Sequence, residues 1–170
     1  MAGTRQRMVV STALLMREKG ARATSIDDVL AHSGAPRGSV YHHFPGGREQ
    51  LLREATEFAS DFVASRLADL GDDPLEVLDA FVEYVGAGCP VVAVAIEDGT
   101  EAQAAAGVAF ARWQEALGEG LERAGVPARR ATLVIAALEG AIVMSRAQSD
   151  PAPLESVRVQ LHDLLKGELR

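Results

Sequence analysis

The segment Ser25–Phe44, which reads SIDDVLAHSGAPRGSVYHHF, decides the fold of this 170-residue chain. Ser25 is a favourable N-cap for a helix, and Asp28 lies in the first turn, where a carboxylate suits the positive end of the helix dipole. Gly34 is suited to end this helix, and Pro36 is suited to begin the next one. The segment therefore predicts two short helices joined by a tight turn.

The second of these helices is predicted to expose most of its side chains. Val40 and Phe44 repeat at i, i+4 and are expected to face the core. The remaining residues combine a guanidinium group, small residues that permit close approach, and rings that donate hydrogen bonds. This combination suits a helix in the DNA major groove, whereas the alternative is an ordinary helical hairpin with a polar face. The outward-facing residues are Arg37, Gly38, Ser39, Tyr41, His42 and His43.

Charge is distributed unevenly along the chain, whose formal net charge is −7. Residues 1–53 contain eight Lys and Arg against four Asp and Glu, a net charge of +4. Residues 54–170 contain nine Lys and Arg against twenty Asp and Glu, a net charge of −11. A basic N-terminal part on an acidic remainder is expected when only one end of a protein meets phosphates.

Three segments carry a resemblance to a known family. Thr24-Ser25-Ile26, SGAPRGSVYHHF at residues 33–44 and REQLL at residues 48–52 closely resemble the DNA-binding domain of TetR-family transcriptional regulators. The sequence departs from the family at Pro36, where many members have Ser or Thr, so a hydroxyl group for phosphate binding is missing. Gly-Cys-Pro-Val-Val at residues 88–92 is similar to the LmrA-like and YxaF-like subgroup.

The resemblance implies an all-α fold in two domains. Residues 1–47 are expected to form a three-helix helix-turn-helix DNA-binding domain, and a long helix joins it to a helical ligand-binding and dimerisation domain over residues 48–170. Helical periodicity and a low aromatic content of 5% agree with an all-α chain. The expected DNA contacts are Thr24, Ser25, Pro36, Arg37, Gly38, Ser39, Tyr41, His42, His43 and Arg48. Beyond residue 47, helices are predicted over 48–70, from 75, over 89–96, 101–124 and 128–148, and from 154.

The last two helices are predicted to form a homodimer interface. The helix over residues 128–148 is the most apolar in the chain, and a helix that is hydrophobic all round must be buried by something. A twofold dimer also reads two half-sites of a palindromic operator. The alternative is a helix buried inside a monomer. The predicted interface residues are Val134, Leu138, Ala141, Ile142, Ser145, Val157, Leu161 and Leu164.

A small-molecule effector is implied by the resemblance, bound inside the acidic part and releasing DNA. Trp113, the only tryptophan, requires a partner for its indole N–H group, and Glu139 stands alone in an apolar run. Glu139 is expected to face a cationic ligand, Arg146 or solvent, and the alternative for the apolar candidates is that they simply fill the core. The candidate lining residues are Phe81, Val85, Cys89, Val92, Ile96, Phe110, Trp113, Leu117, Glu139 and Met144.

Several classes of function are excluded by the residues present. The chain has no Gly-x-Ser-x-Gly, no Gly-Lys-Ser/Thr loop and no His-Glu-x-x-His, so we expect no enzyme activity, cofactor or metal. Cys89 is the only cysteine, which excludes an internal disulfide and fits a cytoplasmic protein. A membrane span needs roughly 20 apolar residues, and the run from 131 to 144 is shorter and contains Glu139. No signal peptide or membrane partner is therefore expected.

Three hypotheses of different class follow. The first is a ligand-responsive DNA-binding repressor, and the second is a DNA-binding regulator whose C-terminal part only dimerises or binds a protein partner. The third is a helical interaction protein that has lost DNA binding. A salt-dependent DNA-binding assay separates the third from the others, because phosphate contacts make affinity fall steeply with salt.

Overall fold

A computed structural model describes residues 3–69, 73–85, 88–97 and 99–169, and within them all side chains except those of residues 68, 69, 74, 77, 81, 84 and 85. These described residues form nine α-helices and no strand, which confirms the expected all-α fold. The helices are α1 (Thr4–Lys19), α2 (Ile26–Ser33), α3 (Ser39–His43), α4 (Gly47–Asp69), α5 (Pro74–Val85), α6 (Pro90–Ala95), α7 (Glu101–Arg123), α8 (Arg130–Gln148) and α9 (Ala152–Glu168).

The chain divides into two compact units. The first unit contains residues 1–61 and 90–109, and the second contains residues 62–89 and 110–170. The helices α4 and α7 contribute residues to both units. The first unit is larger than the predicted DNA-binding domain, so the functional boundary between residues 47 and 48 stays a prediction.

The core of the first unit is built from α1 to α4. Met8, Val40 and Phe44 are fully buried, and Val29 and Leu51 are 1% exposed. Full burial of a large apolar side chain contributes roughly 1.5–3 kcal/mol, so this cluster holds α1, α2 and α3 against α4. The short helices α2 and α3 depend on this packing, because isolated helices of fewer than about 12 residues are marginal in water.

Polar contacts fix α2 against α1. The Nδ1 atom of His32 lies 2.9 Å from the hydroxyl group of Ser11, and the Nε atom of Arg7 donates to the carbonyl oxygen of Ser33 at 3.2 Å. Both contacts join residues that are distant in the sequence, so they set the angle between the two helices. Arg7 of α1 is thus engaged in an internal bond.

The second unit is organised by α8 and α9, with α5 packed on both. Leu138 and Ile142 of α8 and Leu161 and Leu165 of α9 are buried. The guanidinium group of Arg130 is paired with the carboxylate of Glu168, with its Nε atom at 2.8 Å from Oε1, which joins the start of α8 to the end of α9.

Ion pairs also attach α5 to α9. Arg158 donates to Asp79 at 3.0 Å, and the Nε2 atom of His162 lies 2.9 Å from the same carboxylate. Burial would raise the pKa of Asp79, but its hydrogen bonds with His162 and Arg158 together hold that pKa below its usual value. Asp79 of α5 is thus held by two side chains of α9.

The face of α8 predicted to meet a partner subunit instead lies inside the protomer. Val134, Leu138, Ala141 and Ile142 are at most 3% exposed, and Leu161 of α9 is 5% exposed. The reason is that α9 and α5 of the same chain pack on this side of α8. Ser145, Val157 and Leu164 are half-buried.

The opposite face of α8 is apolar and exposed. Leu133, Val143 and Met144 are 45%, 50% and 51% exposed, and Val159 of α9 is 46% exposed. By length and composition α8 also meets the criteria for a membrane span, alone among the helices in the part of the chain that the structure describes. Core helices of soluble proteins meet the same criteria, so this property does not by itself indicate a membrane span.

The helix α3 begins later than the sequence predicts. Pro36 was expected at its first position, but the helix starts at Ser39, and residues 36–38 form a turn. The amide group of Ser39 donates to the carbonyl oxygen of Pro36 at 2.9 Å, which closes this turn. The turn before α3 thus runs from Pro36 to Ser39, and Pro36 accepts its closing hydrogen bond.

Candidate nucleic-acid interface

The start of α2 is fixed by a capping box. The Oγ atom of Ser25 accepts from the amide of Asp28 at 3.1 Å, and the carboxylate of Asp28 accepts from the amide of Ser25 at 3.0 Å. Lys19 contributes an ion pair to Asp28 at 2.7 Å, and this contact holds the pKa of Asp28 well below its usual value. The predicted cap is confirmed, and Gly34 ends the helix in the left-handed conformation with a φ of 65°.

The helix α3 is short, and one face of it is exposed. Val40 and Phe44 are fully buried and anchor the helix, whereas Tyr41 is 66% exposed. His42 is exposed and His43 is half-buried, with the two rings 4.9 Å apart in an edge-to-face arrangement. The exposed face of α3 thus presents an aromatic hydroxyl and imidazole groups to solvent.

The turn before α3 adds a cation to this surface. Pro36, Arg37 and Gly38 are exposed, and Arg37 makes no hydrogen bond or ion pair with the residues that the structure describes. Ser39 differs, because it is half-buried and its hydroxyl group donates to the carbonyl oxygen of Pro36 at 2.6 Å. The exposed guanidinium group is available to a phosphate or a base, whereas the hydroxyl group of Ser39 already has a partner.

The turn after α3 holds Tyr41 against the start of α4. Gly47 has a φ of +62°, and a Cβ atom at this position would lie 3.4 Å from the Cε1 atom of Tyr41. Glycine adopts this φ without strain, and it also leaves room for the ring. The amide of Gly46 donates to the side chain of Gln50 at 2.9 Å, which caps the first turn of α4.

Arg48 and Thr24, both expected to contact DNA, are used inside the first unit. The guanidinium group of Arg48 donates to the carbonyl oxygens of Ala21 at 2.5 Å, Thr24 at 2.9 Å and Arg22 at 3.5 Å. Thr24 is 2% exposed, and its hydroxyl group donates to the carbonyl oxygen of Gly20 at 2.9 Å. These bonds satisfy carbonyl groups of the loop between α1 and α2, so both residues position α2 rather than offering their side chains to solvent.

Arg5 of α1 also has internal partners. Its guanidinium group lies 2.6 Å from the carboxylate of Glu54 and 5.2 Å from the centre of the Phe44 ring. Sequence reasoning missed this pair, because residues 49 positions apart leave no local signal. The contact joins α1 to α4 behind α3.

The candidate ligand residues are divided between the two units. Val92 and Ile96 belong to the first unit, whereas Cys89, Phe110, Trp113, Leu117, Glu139 and Met144 belong to the second. Ile96 is 83% exposed and Met144 is 51% exposed, because each lies on the outer side of its segment. The side chains of Phe81 and Val85 lie outside the described residues.

Four of the candidates are buried in the second unit. Trp113 is fully buried, and its ring meets that of Phe110 edge to face at 5.5 Å between centroids. Cys89, Leu117 and Glu139 are 6%, 5% and 7% exposed. Glu139 differs from the rest, because burial raises the pKa of its carboxyl group to about 7 and the Cys89 thiol beside it opposes the rise.

Comparison with known proteins matches both parts of the chain. A family model described as bacterial regulatory proteins of the tetR family matches residues 10–55. A second model, described as the C-terminal domain of LmrA/YxaF-like transcriptional regulators, matches residues 78–160. Together these matches contain the whole of α2, α3, α6, α7 and α8 and the start of α9.

Relatives and solved structures agree with these matches. An uncharacterized HTH-type transcriptional regulator of Mycobacterium tuberculosis is 44% identical, over 99% of this chain and 97% of its own length. The HTH-type transcriptional regulator LmrA of Bacillus subtilis is 30% identical, over 96% of this chain and 97% of its own. The HTH-type transcriptional repressor KstR2 of M. tuberculosis is 35% identical over 39% of this chain and 34% of its own. A TetR transcriptional regulator from Legionella pneumophila has the same fold, with a TM-score of 0.83, 21% identity and coverage of 100% and 99% of the two chains.

The helix-turn-helix of α2 and α3, with its exposed polar surface, defines a DNA-binding transcriptional regulator rather than an enzyme. The chain belongs to the TetR family, and its C-terminal part is of the LmrA/YxaF-like kind.

Proposed function

We propose that the protein is a homodimeric cytoplasmic repressor that binds a palindromic DNA operator and leaves it when a small molecule binds. The observation that carries this proposal is the exposed surface formed by Arg37, Tyr41 and His42. These side chains project from α3 and its preceding turn, while Val40 and Phe44 hold the helix on the core. The repressor role is supported by the partial similarity to KstR2.

Within this surface the residues have different expected roles. Arg37 has a fork of donors that suits a guanine edge or a phosphate, and Tyr41 and His42 suit base edges or the backbone. Gly38 has no side chain and permits close approach, and Pro36 and His43 lie at the margins. Ser25 fixes the start of α2, where first-turn amides favour a phosphate. Thr24, Ser39 and Arg48 are assigned supporting roles, since their polar groups bond within the unit.

A homodimer is supported by the exposed apolar face of α8 and α9. Leu133, Val143 and Met144 lie on α8, and Val159 lies on α9, each at least 45% exposed. Exposed Ala136 and Gly140 between them permit a second helix to approach closely. Two copies of this face give a four-helix interface, and a twofold pair places two copies of α3 on successive half-sites.

Release by a ligand requires only that the ligand binds one arrangement of the protein better than the other. The helix α4 contributes to both units, so we propose that it transmits a change in the second unit to the DNA-binding surface. The alternative is that the C-terminal part only dimerises or binds a protein partner, and a ligand then has no effect on operator affinity.

The proposal is tested on a duplex that the purified protein selects from a random-sequence pool. Fluorescence anisotropy should show binding that weakens steeply with salt, because phosphate contacts release counterions. Replacing Arg37 by Ala should weaken binding to the selected duplex about tenfold or more, since a good bidentate base contact discriminates by roughly 1–3 kcal/mol.

Arg129→Ala is the matched control, because Arg129 is exposed on the second unit. It should leave DNA affinity unchanged, and neither variant should change the thermal unfolding midpoint by more than a degree or two. Failure to select any duplex, or equal DNA affinity of the Arg37→Ala variant and the wild type, would contradict the proposed DNA-binding surface.

A further inference from the structure

The carboxyl group of Glu139 occupies an unusual place in the second unit. The residue is 7% exposed, and its neighbours Leu138 and Ile142 on α8 are buried apolar side chains. Apart from the Cys89 thiol, neither carboxyl oxygen has a hydrogen-bond partner among the residues that the structure describes. Glu139 is thus a buried polar group whose partner is only a thiol.

A purely structural role does not explain this placement. Leaving a buried polar group unsatisfied costs about 1–3 kcal/mol, and more when the group is charged. Leu or Met at this position would avoid the cost and pack as well. The cations that the structure pairs in this unit bond elsewhere: Arg130 with Glu168, and Arg158 with Glu155 and Asp79. Arg146, the partner considered from the sequence, is exposed, whereas Glu139 is buried.

The group beside Glu139 is the thiol of Cys89, which is also buried. A thiol is only a weak hydrogen-bond donor, so it cannot replace the water that a carboxylate loses on burial. Its effect on the pKa of Glu139 is smaller than the effect of burial, which raises that pKa to about 7. The carboxyl group therefore retains most of its capacity to bind a donor or a cation.

We infer that Glu139 is the anchoring group of a small-molecule site in the second unit, and that this site takes an apolar organic cation bearing N–H donors, such as a protonated amine. This inference rests on the ligand-responsive function proposed above and names the chemical class of the effector. A protonated amine supplies what the site lacks, since it neutralises the carboxylate and donates charge-assisted hydrogen bonds to its oxygens. Because Glu139 is only 7% exposed, a ligand that reaches its carboxyl group must itself be enclosed by the protein, which favours a ligand with an apolar body.

The inference is tested with three compounds of one shape and different charge. These are 1-naphthylmethylamine, 1-naphthalenemethanol and 1-naphthoic acid, titrated into the full-length protein at pH 8 by isothermal calorimetry. The amine should bind at least about tenfold more tightly than the alcohol, since a hydrogen bond to a charged group contributes about 1.5–3 kcal/mol. The acid should bind more weakly than the alcohol.

Variants of Glu139 separate its role from general apolar binding. Glu139→Gln keeps the shape and removes the charge, so it should abolish the preference for the amine over the alcohol. Glu139→Asp keeps a carboxyl group and should retain that preference, which shows that loss in the first variant does not reflect misfolding. Glu119→Gln, at an exposed position on α7, is the control and should behave as the wild type.

The possible outcomes separate this inference from the proposed function. Equal binding of amine and alcohol, no binding of the amine, or a preference that survives in Glu139→Gln would overturn the inference. If the amine binds through Glu139 but leaves the affinity for the selected DNA duplex unchanged, the site stands and the proposed release of DNA fails.

Discussion

Arg37 and Arg48 carry the same guanidinium group, yet their surroundings are opposite. Arg37 lies exposed in the turn before α3, whereas Arg48 bonds to three carbonyl oxygens of the loop before α2. The resemblance to the TetR family implied DNA contacts for both residues, because the family motif contains both. Only the fold distinguishes them, since the carbonyl partners of Arg48 lie 24 to 27 residues away in the chain.

The buried carboxyl group of Glu139 makes the free energy of unfolding depend on pH. Its carboxyl group has a pKa near 4.5 when freely solvated and about 7 in the folded protein. Between these values the folded state binds more protons than the unfolded state, so stability falls as the pH rises from about 4.5 to 7 and is level above 7. The full loss is on the order of 3 kcal/mol.

This loss is measurable by urea unfolding of the wild type and Glu139→Gln at pH 5 and pH 8, at one protein concentration. The difference in free energy of unfolding between the two proteins should change by roughly 2–3 kcal/mol over this range, with the wild type relatively weaker at pH 8. Parallel pH profiles would show that Glu139 does not titrate in this window.

Among the helices, Arg48 joins α4 to the loop that precedes α2. Replacing it by Gln should lower the free energy of unfolding by about 1–3 kcal/mol, because a charged donor to three carbonyl groups is lost. DNA affinity should fall as well, but the slope of log affinity against log salt should stay the same, since no phosphate contact is removed.

Arg22→Gln is the matched control for that experiment, because Arg22 is exposed in the same loop. It should not change stability. A decrease of about one in the salt slope for Arg48→Gln would instead identify Arg48 as a phosphate contact.

The exposed apolar side of α8 is predicted to hold the homodimer together. Val143→Glu combined with Met144→Glu should convert the proposed homodimer to monomers in analytical ultracentrifugation, because the charges would be buried at the interface. Val108→Glu, on an exposed position of α7, should not change the sedimentation coefficient. An unchanged mass for the double variant would show that dimers form through another surface.

The sequence predicted the helices better than it predicted their faces. The cap at Ser25, the end at Gly34 and the turn after Phe44 are local signals, and the structure confirms them. The face of α8 that packs inside the protomer was assigned to the partner subunit. Apolar and small residues lie on all sides of this helix, so no apolar stripe indicates its orientation. The internal bonds of Thr24 and Arg48 were missed for a different reason, as they depend on how the loop meets α4.

For the whole molecule, the proposed ligand and operator responses must be reciprocal. If an amine weakens DNA binding by some factor, the operator weakens binding of the amine by the same factor. Calorimetric titration of 1-naphthylmethylamine into free protein and into protein saturated with the selected duplex measures the affinity for the amine without and with DNA. Equal amine affinity in the two titrations, combined with loss of DNA binding on adding amine, would indicate that the amine acts on the DNA instead.

The short length of α3 has a consequence for turnover in the cell. A five-residue helix does not hold its shape alone, so it exists only while Val40 and Phe44 stay packed in the core. Operator DNA binds this folded form and not the opened one, which suppresses local opening by mass action. Copies of the protein bound to chromosomal sites should resist proteases longer than unbound copies. Release of the protein from its operator would therefore also shorten the lifetime of the protein.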